Sequence, residues 1–105
     1  MAGTIFHITH PETWRTAKDD KFYSSDTLSE IGFIHCCGKD QIEFVLDQWF
    51  FEWKNLILLE IEIDKLSSRL VFENLEGGNE LFPHVYGPVD LDAIITIKEM
   101  KKENY

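Results

Sequence analysis

The chain of 105 residues lacks the cysteine pattern of a disulfide-linked protein, because its only two cysteines, Cys36 and Cys37, are adjacent. Neighbouring cysteines cannot crosslink distant parts of a chain. The sequence also does not open with a basic segment followed by an apolar stretch, as a secretory signal would. We therefore predict a cytoplasmic protein with reduced thiols.

Long apolar runs are missing as well. The longest uninterrupted one extends from Leu56 to Leu59, whereas a membrane-spanning helix needs about 20 predominantly apolar residues. We therefore predict no membrane partner.

Basic residues are scarce: Lys and Arg number 10 against 19 Asp and Glu, which gives a formal net charge of -9. Such a charge repels nucleic-acid phosphates and anionic lipids. Only Lys98, Lys101 and Lys102 come near to clustering, and a short run of this kind is typical of a solvated tail. The composition therefore predicts no nucleic-acid partner.

Apolar residues are plentiful, at 44%, with three Trp, eight Phe and three Tyr. This supply is enough for one core in a chain of ordinary domain size. We predict a single domain over residues 1–105.

Helical signals occur at three places. Thr9 and Glu12 have the spacing of a capping box, which predicts a helix that carries Trp14 and Ala17 and ends near Asp19. Residues 27–31 are predicted to form one or two helical turns, which Gly32 closes in the left-handed conformation. The strongest periodic signal begins near Asp40 and Glu43 and comprises Ile42, Val45, Leu46, Trp49, Phe50 and Trp53.

Strand signals alternate with these helices, and residues 56–63 are the clearest, as a central strand whose Ile57, Leu59, Ile61 and Ile63 share one face. The other predicted strands are 4–9, 33–37, 70–73 and 92–98, and 76–79 is a turn or loop. The fold class is therefore α+β, with a small split sheet of about five or six strands and two principal helices.

Three histidines, His7, His35 and His84, lie in or beside apolar segments. Burying an imidazole without partners costs about 1 to 3 kcal/mol, so such positions usually serve a purpose. Each histidine fits a structural hydrogen bond on its own, whereas three together favour a shared cleft.

The residue spacing gives little support for a metal site or for a nucleophilic cysteine. The chain has no Cys-x-x-Cys and no His-x-x-x-His, and adjacent strand residues point to opposite faces, so we expect no metal. A His-based metal site remains a second alternative. For Cys36 and Cys37, a buried thiol is a better interpretation than a nucleophile.

The segment from Phe82 to Pro88 combines two prolines with bulky side chains. If it is extended, Phe82, His84 and Tyr86 share one side, which suits stacking on a planar ligand or closing the edge of the core. Glu73, at the end of a predicted strand, is the carboxylate we single out.

Taken together, Phe6-His7-Ile8-Thr9, Gly32-Phe33-Ile34-His35-Cys36, Glu73 and the segment from Phe82 to Pro88 resemble the DUF952 family of small uncharacterised bacterial proteins. The resemblance extends to about Lys98. It implies a fold similar to ADP-ribosyltransferases, in which a split sheet binds NAD in a cleft between its halves.

By position in that fold, the resemblance assigns His7 to a ribose hydroxyl and His35 to the nicotinamide pocket, with Glu73 or His84 as third residue. It implies that NAD or a nucleotide-like metabolite is bound and that ADP-ribose is transferred. The alternative is a noncatalytic module that binds a small ligand. We predict catalytic roles for His7, His35, Glu73 and His84, and ligand contacts from Thr9, Phe33, Phe82 and Tyr86.

Overall fold

The computed structural model describes residues 3–50, 52–74 and 80–102. In these ranges it contains three α-helices: α1 (Pro11–Ala17), α2 (Asp26–Ile31) and α3 (Ile42–Trp49). The same ranges contain eight strands: β1 (Thr4–Thr9), β2 (Phe22–Tyr23), β3 (Ile34–His35), β4 (Asn55–Glu62), β5 (Arg69–Glu73), β6 (Phe82–Tyr86), β7 (Val89–Asp90) and β8 (Ile94–Lys101). Short 3-10 turns span Lys39–Gln41, Ile63–Lys65 and Leu91–Ala93. The predicted α+β class is confirmed.

The first sheet has the order β1-β4-β8, and both of its strand pairs are antiparallel. β4 is its central strand, as predicted, and its Ile57, Leu59 and Ile61 are buried. In the register between β1 and β4, His7 lies opposite Leu59. His7 therefore lies on the side of the sheet that faces the core, where an imidazole needs internal partners.

The second sheet has the order β3-β6-β5, again antiparallel. Its register places His35 directly opposite His84. The first and second sheets meet at one bridge, where the backbone N–H groups of Phe6 and Cys37 each donate to the other residue's carbonyl at 2.7 Å. β2 and β7 form a third, two-stranded sheet.

One hydrophobic core joins the three sheets, because each of them contributes fully buried side chains. Its buried members are Ile5, Tyr23, Ile34, Cys36, Ile57, Leu59, Ile61, Val85, Val89 and Ala93. Burial of this apolar surface is the main stabilising contribution to such a fold.

The three predicted helices are present, but some of their predicted ends are wrong. Gly32 closes α2 with φ of 91° and donates to Leu28 O at 3.0 Å, as predicted. The capping box at Thr9 is wrong: α1 begins after His10 without a side-chain cap. Thr9 remains in β1, where its hydroxyl is buried beside Tyr23.

The predicted five or six strands become eight in the described residues, since β2 and β7 are two residues long and too short to show a period. The strand predicted over 33–37 is reduced to Ile34–His35. The turn predicted at 76–79 lies outside the described residues. Within the described ranges, no helix has the length and apolar character needed to cross a bilayer.

Candidate functional site

A cleft of about 770 Å³ opens where the first and second sheets meet. β1 and the segment around His35 contribute its inner side, α3 one wall, and the ends of β5 and β6 another. The start of α2 completes it. Among the described residues, its aromatic lining comprises Phe6, Phe44, Trp49, Phe50 and Phe82, and its titratable lining comprises His7, His10, Asp26, His35, Cys36, Cys37, Glu73, Glu80 and His84.

Glu73 connects the rings of His84 and Tyr86. The Nδ1 atom of His84 lies 2.9 Å from Glu73 Oε2, and the Tyr86 hydroxyl donates to the same oxygen. These two hydrogen bonds lower the pKa of the Glu73 carboxyl below its usual value, with the bond from Tyr86 as the larger cause. Glu73 is therefore ionised at neutral pH and orients His84.

The hydrogen bond to Glu73 also decides which nitrogen of His84 carries a proton. An ionised carboxylate only accepts, so the hydrogen is on Nδ1 and the neutral ring has its lone pair on Nε2. Nε2 has no partner among the described residues, whereas every fully enclosed side-chain nitrogen or oxygen there has one. Because His84 lines the cleft, Nε2 is the atom that it offers to a ligand.

Aromatic packing holds His84 from a second side. Phe33 stacks on it with ring centroids 4.3 Å apart and an angle of 23° between the planes. The ring of His35 stands edge-on to His84 at 5.1 Å, with the planes at 89°. The rings of His35 and His84 are thus adjacent at the cleft.

His7 has both ring nitrogens engaged within the protein. Nδ1 donates to the carbonyl of His35 at 2.5 Å, and Nε2 lies 2.9 Å from the hydroxyl of Tyr23. Thr9 Oγ1 is 3.1 Å from that same hydroxyl. Burial lowers the pKa of His7 to about 4, so the ring is neutral at pH 7. His7 therefore anchors the chain near His35 and presents no unoccupied nitrogen.

The structure brings six of the eight predicted site residues to one cleft: His7, Thr9, His35, Glu73, Phe82 and His84. Phe33 and Tyr86 are not in its lining. They contact His84 and Glu73 respectively, and so support the residues that line the cleft. The roles predicted for all eight remain predictions.

Several contributors to the site were missed by the sequence analysis. Trp49 and Phe50 were identified only as members of a periodic helix, but Trp49 is 60% exposed and both line the cleft. A signal was available, because Phe44 is a large apolar residue on the side of the helix opposite Ile42, Leu46 and Trp49. Nothing in the local pattern around Tyr23 indicated its contact with His7.

The thiols have an environment unsuited to nucleophilic chemistry. Cys36 and Cys37 are free and buried, and burial raises the pKa of both, that of Cys37 to about 12. Thiolate is the nucleophilic form, and its population is negligible at such values. Within residues 3–50, 52–74 and 80–102, no group of three or more His, Cys, Asp or Glu side chains is arranged to hold a metal.

Comparison with known proteins supports the family resemblance. The chain is similar to protein CC0527 from Caulobacter crescentus: its crystal structure superposes with a TM-score of 0.82 at 28% identity, covering 95% of this chain and 88% of that one. The solution structure of CC0527 gives 0.77 at 29% identity, with coverages of 95% and 86%. No curated protein matches. The sequence model described as "Protein of unknown function (DUF952)" matches residues 8–97, and the chain therefore belongs to the DUF952 family.

Proposed function

We propose that the cleft binds a nucleotide-like metabolite and that the protein transfers a ribosyl group from it, with NAD as the compound that the family resemblance predicts. The observation that carries this proposal is the orientation of His84. Its Nδ1 is held by an ionised Glu73 while its Nε2 is offered to the cleft, beside His35.

The cleft has the composition expected for a ligand with a planar ring and hydroxyl groups. Its volume lies in the range of ordinary small-molecule sites, which are mostly apolar with a few placed polar groups. Trp49, Phe50 and Phe82 offer ring surfaces for stacking. The His84 ring offers a hydrogen bond.

In the proposed reaction, the C1′–N bond between ribose and nicotinamide breaks and nicotinamide leaves as a neutral molecule. A bond forms between C1′ and the oxygen of an acceptor hydroxyl. The acceptor's proton passes to Nε2 of His84, whose lone pair is available to take it. The negative charge of Glu73 stabilises both the resulting imidazolium and the oxocarbenium character that develops at C1′.

A second candidate is a noncatalytic module that binds the same class of ligand without turnover. It is favoured by His7, because a histidine whose two nitrogens are already bonded within the protein acts as a scaffold. This candidate predicts binding and no product.

Incubation with NAD, followed by chromatographic measurement of nicotinamide, tests the transfer. We expect nicotinamide release, and about a hundredfold loss of rate in Glu73→Gln and in His84→Gln. Asp92→Asn, at an exposed position in the Leu91–Ala93 turn, is the control and retains the rate.

Thermal denaturation with millimolar NAD and ADP-ribose separates the two candidates. A raised melting temperature without nicotinamide release would leave only the binding module. An unchanged melting temperature together with no release would remove both.

We also propose that the protein works in the cytoplasm. This proposal is supported by the two free thiols, which are adjacent and buried and form no disulfide.

A further inference from the structure

The charge of the cleft is unsuited to phosphate groups. All ten Lys and Arg residues of the chain lie in the described ranges, and none of them lines the cleft. Three carboxylates do line it: Asp26, Glu73 and Glu80. Arg69 lies outside the lining and acts on the Glu73 carboxyl through its charge. A pyrophosphate would therefore enter an acidic cleft with no permanent cation in its lining, and like charges brought together weaken binding.

The histidines compensate little for this charge. His7 is neutral at pH 7, because burial depresses its pKa. A proton on His84 would only balance the negative charge of Glu73, to which it is hydrogen-bonded at 2.9 Å. His10 and His35 are the remaining lining histidines, and the lining carboxylates outnumber them. The chain as a whole, at a net charge of -9, adds to the negative field.

The aromatic lining suits the opposite kind of ligand. The π-faces of aromatic rings attract cations, Trp most strongly, and the attraction increases where water is excluded. Trp49 and Phe50 lie on the α3 side of the cleft. Phe44, also on α3, stacks on Phe82 of β6 with ring centroids 6.0 Å apart. Rings combined with carboxylates are a typical environment for an organic cation.

An independent observation defines a polar group that the ligand carries. His84 is 1% exposed and lines the cleft, and its Nε2 has no hydrogen-bond partner among the described residues. Since no fully enclosed side-chain nitrogen or oxygen there lacks a partner, Nε2 is open to the cleft as an acceptor. An acceptor that is open to the cleft in this way is satisfied by a hydroxyl or amide N–H of the ligand.

We propose that the ligand is a planar heteroaromatic cation that carries a hydrogen-bond donor and no phosphate, of the class of a cationic N-riboside. This inference rests on the proposed function and narrows it. The transferred group is then a ribosyl group without phosphates. The positively charged ring contacts the aromatic lining and the carboxylates. Before an acceptor binds, a donor group of the ligand bonds to Nε2 of His84, and the acceptor hydroxyl replaces that group for the transfer.

Nicotinamide riboside and its 5′-phosphate differ by one phosphate, and they provide a matched pair of probes. Isothermal titration with both compounds and with NAD, at about pH 7.5 and low salt, measures the charge preference. We expect the riboside to bind about tenfold or more tightly than its phosphate, and NAD to bind no better than the phosphate. The affinity for the riboside falls as salt is added.

Two charge-matched double variants separate the effect of the lining carboxylates from that of the net charge of the whole protein. The double variant Asp26→Asn with Glu80→Gln removes two lining carboxylates and weakens riboside binding about tenfold. The control, Asp64→Asn with Glu99→Gln, removes the same charge from exposed positions outside the lining and leaves the affinity within about twofold.

The outcomes distinguish this inference from the proposed function. If the phosphate or NAD binds as tightly as the riboside, the charge preference is wrong while nucleotide binding stands. If both double variants weaken riboside binding equally, the preference does not come from the cleft and the inference is overturned. If none of the three compounds binds, the inference and the proposed function both fall.

Discussion

The carboxylate of Glu73 holds the ring of His84 through a hydrogen bond of 2.9 Å between Oε2 and Nδ1. Glu73 is the last residue of β5 and His84 lies in the middle of β6, so the second sheet itself sets their distance. Tyr86, two residues along the same strand, bonds to the same oxygen. A carboxylate with two donors on one oxygen is a rigid support for an imidazole that faces a cleft.

Replacing Tyr86 by Phe removes the larger of the two causes that lower the pKa of Glu73. We therefore expect the Glu73 pKa to rise toward its ordinary value in Tyr86→Phe. NMR titration of the side-chain carboxyl carbons measures this shift. The Asp19 carboxyl, whose acceptor bonds are to the N–H groups of Lys21 and Phe22, is an internal reference that stays constant. An unchanged Glu73 pKa would contradict the assigned bond.

His7 makes the stability of the fold dependent on pH. Its pKa is lowered from 6.5 in the unfolded chain to about 4 in the folded protein by burial, so the unfolded chain binds the extra proton between these values. The contribution of His7 is complete above about pH 6.5 and is lost as the pH falls toward 4.

We expect the free energy of unfolding to decrease by about 3 kcal/mol across this window. Urea denaturation at several pH values measures it, and His7→Gln flattens the upper part of the dependence, above the range where carboxylates titrate. A wild-type protein equally stable at pH 7 and pH 5 would be inconsistent with a neutral, buried His7.

Tyr23 supplies the hydroxyl that meets both His7 Nε2 and Thr9 Oγ1 in the buried core. Tyr23→Phe keeps the ring and leaves these two polar atoms without that partner, which costs about 1 to 3 kcal/mol of unfolding free energy. Urea denaturation measures the loss. Phe22→Leu, at the half-buried neighbouring position, is a control for changes in β2 alone. A loss no larger than that of the control would show that the hydrogen bonds contribute little.

Gly87 cannot acquire a side chain without movement of its neighbour. Its φ is +156°, and a Cβ atom there would lie 2.4 Å from Ser68 Oγ and 2.8 Å from Ser68 Cβ. Ser68 itself is held by a hydrogen bond from its hydroxyl to the carbonyl of Pro88.

Alanine scanning at three glycines tests this contact. We expect Gly87→Ala to destabilise by roughly 2 to 4 kcal/mol, since it combines strain with the clash. Gly32 has φ of 91°, and a Cβ atom there would meet no neighbour within 4 Å. Gly32→Ala therefore brings backbone strain without a clash, and lowers the free energy of unfolding by about 1 to 2 kcal/mol. Gly3 has neither a positive φ nor a close neighbour, so Gly3→Ala leaves the free energy of unfolding nearly unchanged. Thermal denaturation gives the ranking, and a different order would contradict it.

Local patterns predicted much of the fold. The alternation in β4 and the Gly32 stop of α2 depend on neighbouring residues, so the sequence displays them directly. The two-residue strands β2 and β7 have no period of their own and exist because Tyr23 and Val89 pair across 66 positions of the chain. Long-range pairing of this kind is invisible to a local pattern.

In the candidate site, too, some features were visible in the local sequence and others depended on long-range contacts. The histidines and Glu73 were identified from their residue types in apolar or strand-end positions. Their partners were not: His7 bonds to Tyr23 and to the carbonyl of His35, 16 and 28 positions away. The wall formed by α3 was also missed, because a helical period shows that one face is apolar and not what that face covers.

The sequence by itself determined the α+β class, the family, the acidic charge and the residue types available for chemistry, because these follow from composition and short-range order. Only the tertiary structure decided that His7 is saturated by internal hydrogen bonds, that His84 offers Nε2 to a cleft, and that no lysine or arginine lines that cleft. The physical reason is that hydrogen bonds and local charge depend on distances between side chains, and strand register sets those distances.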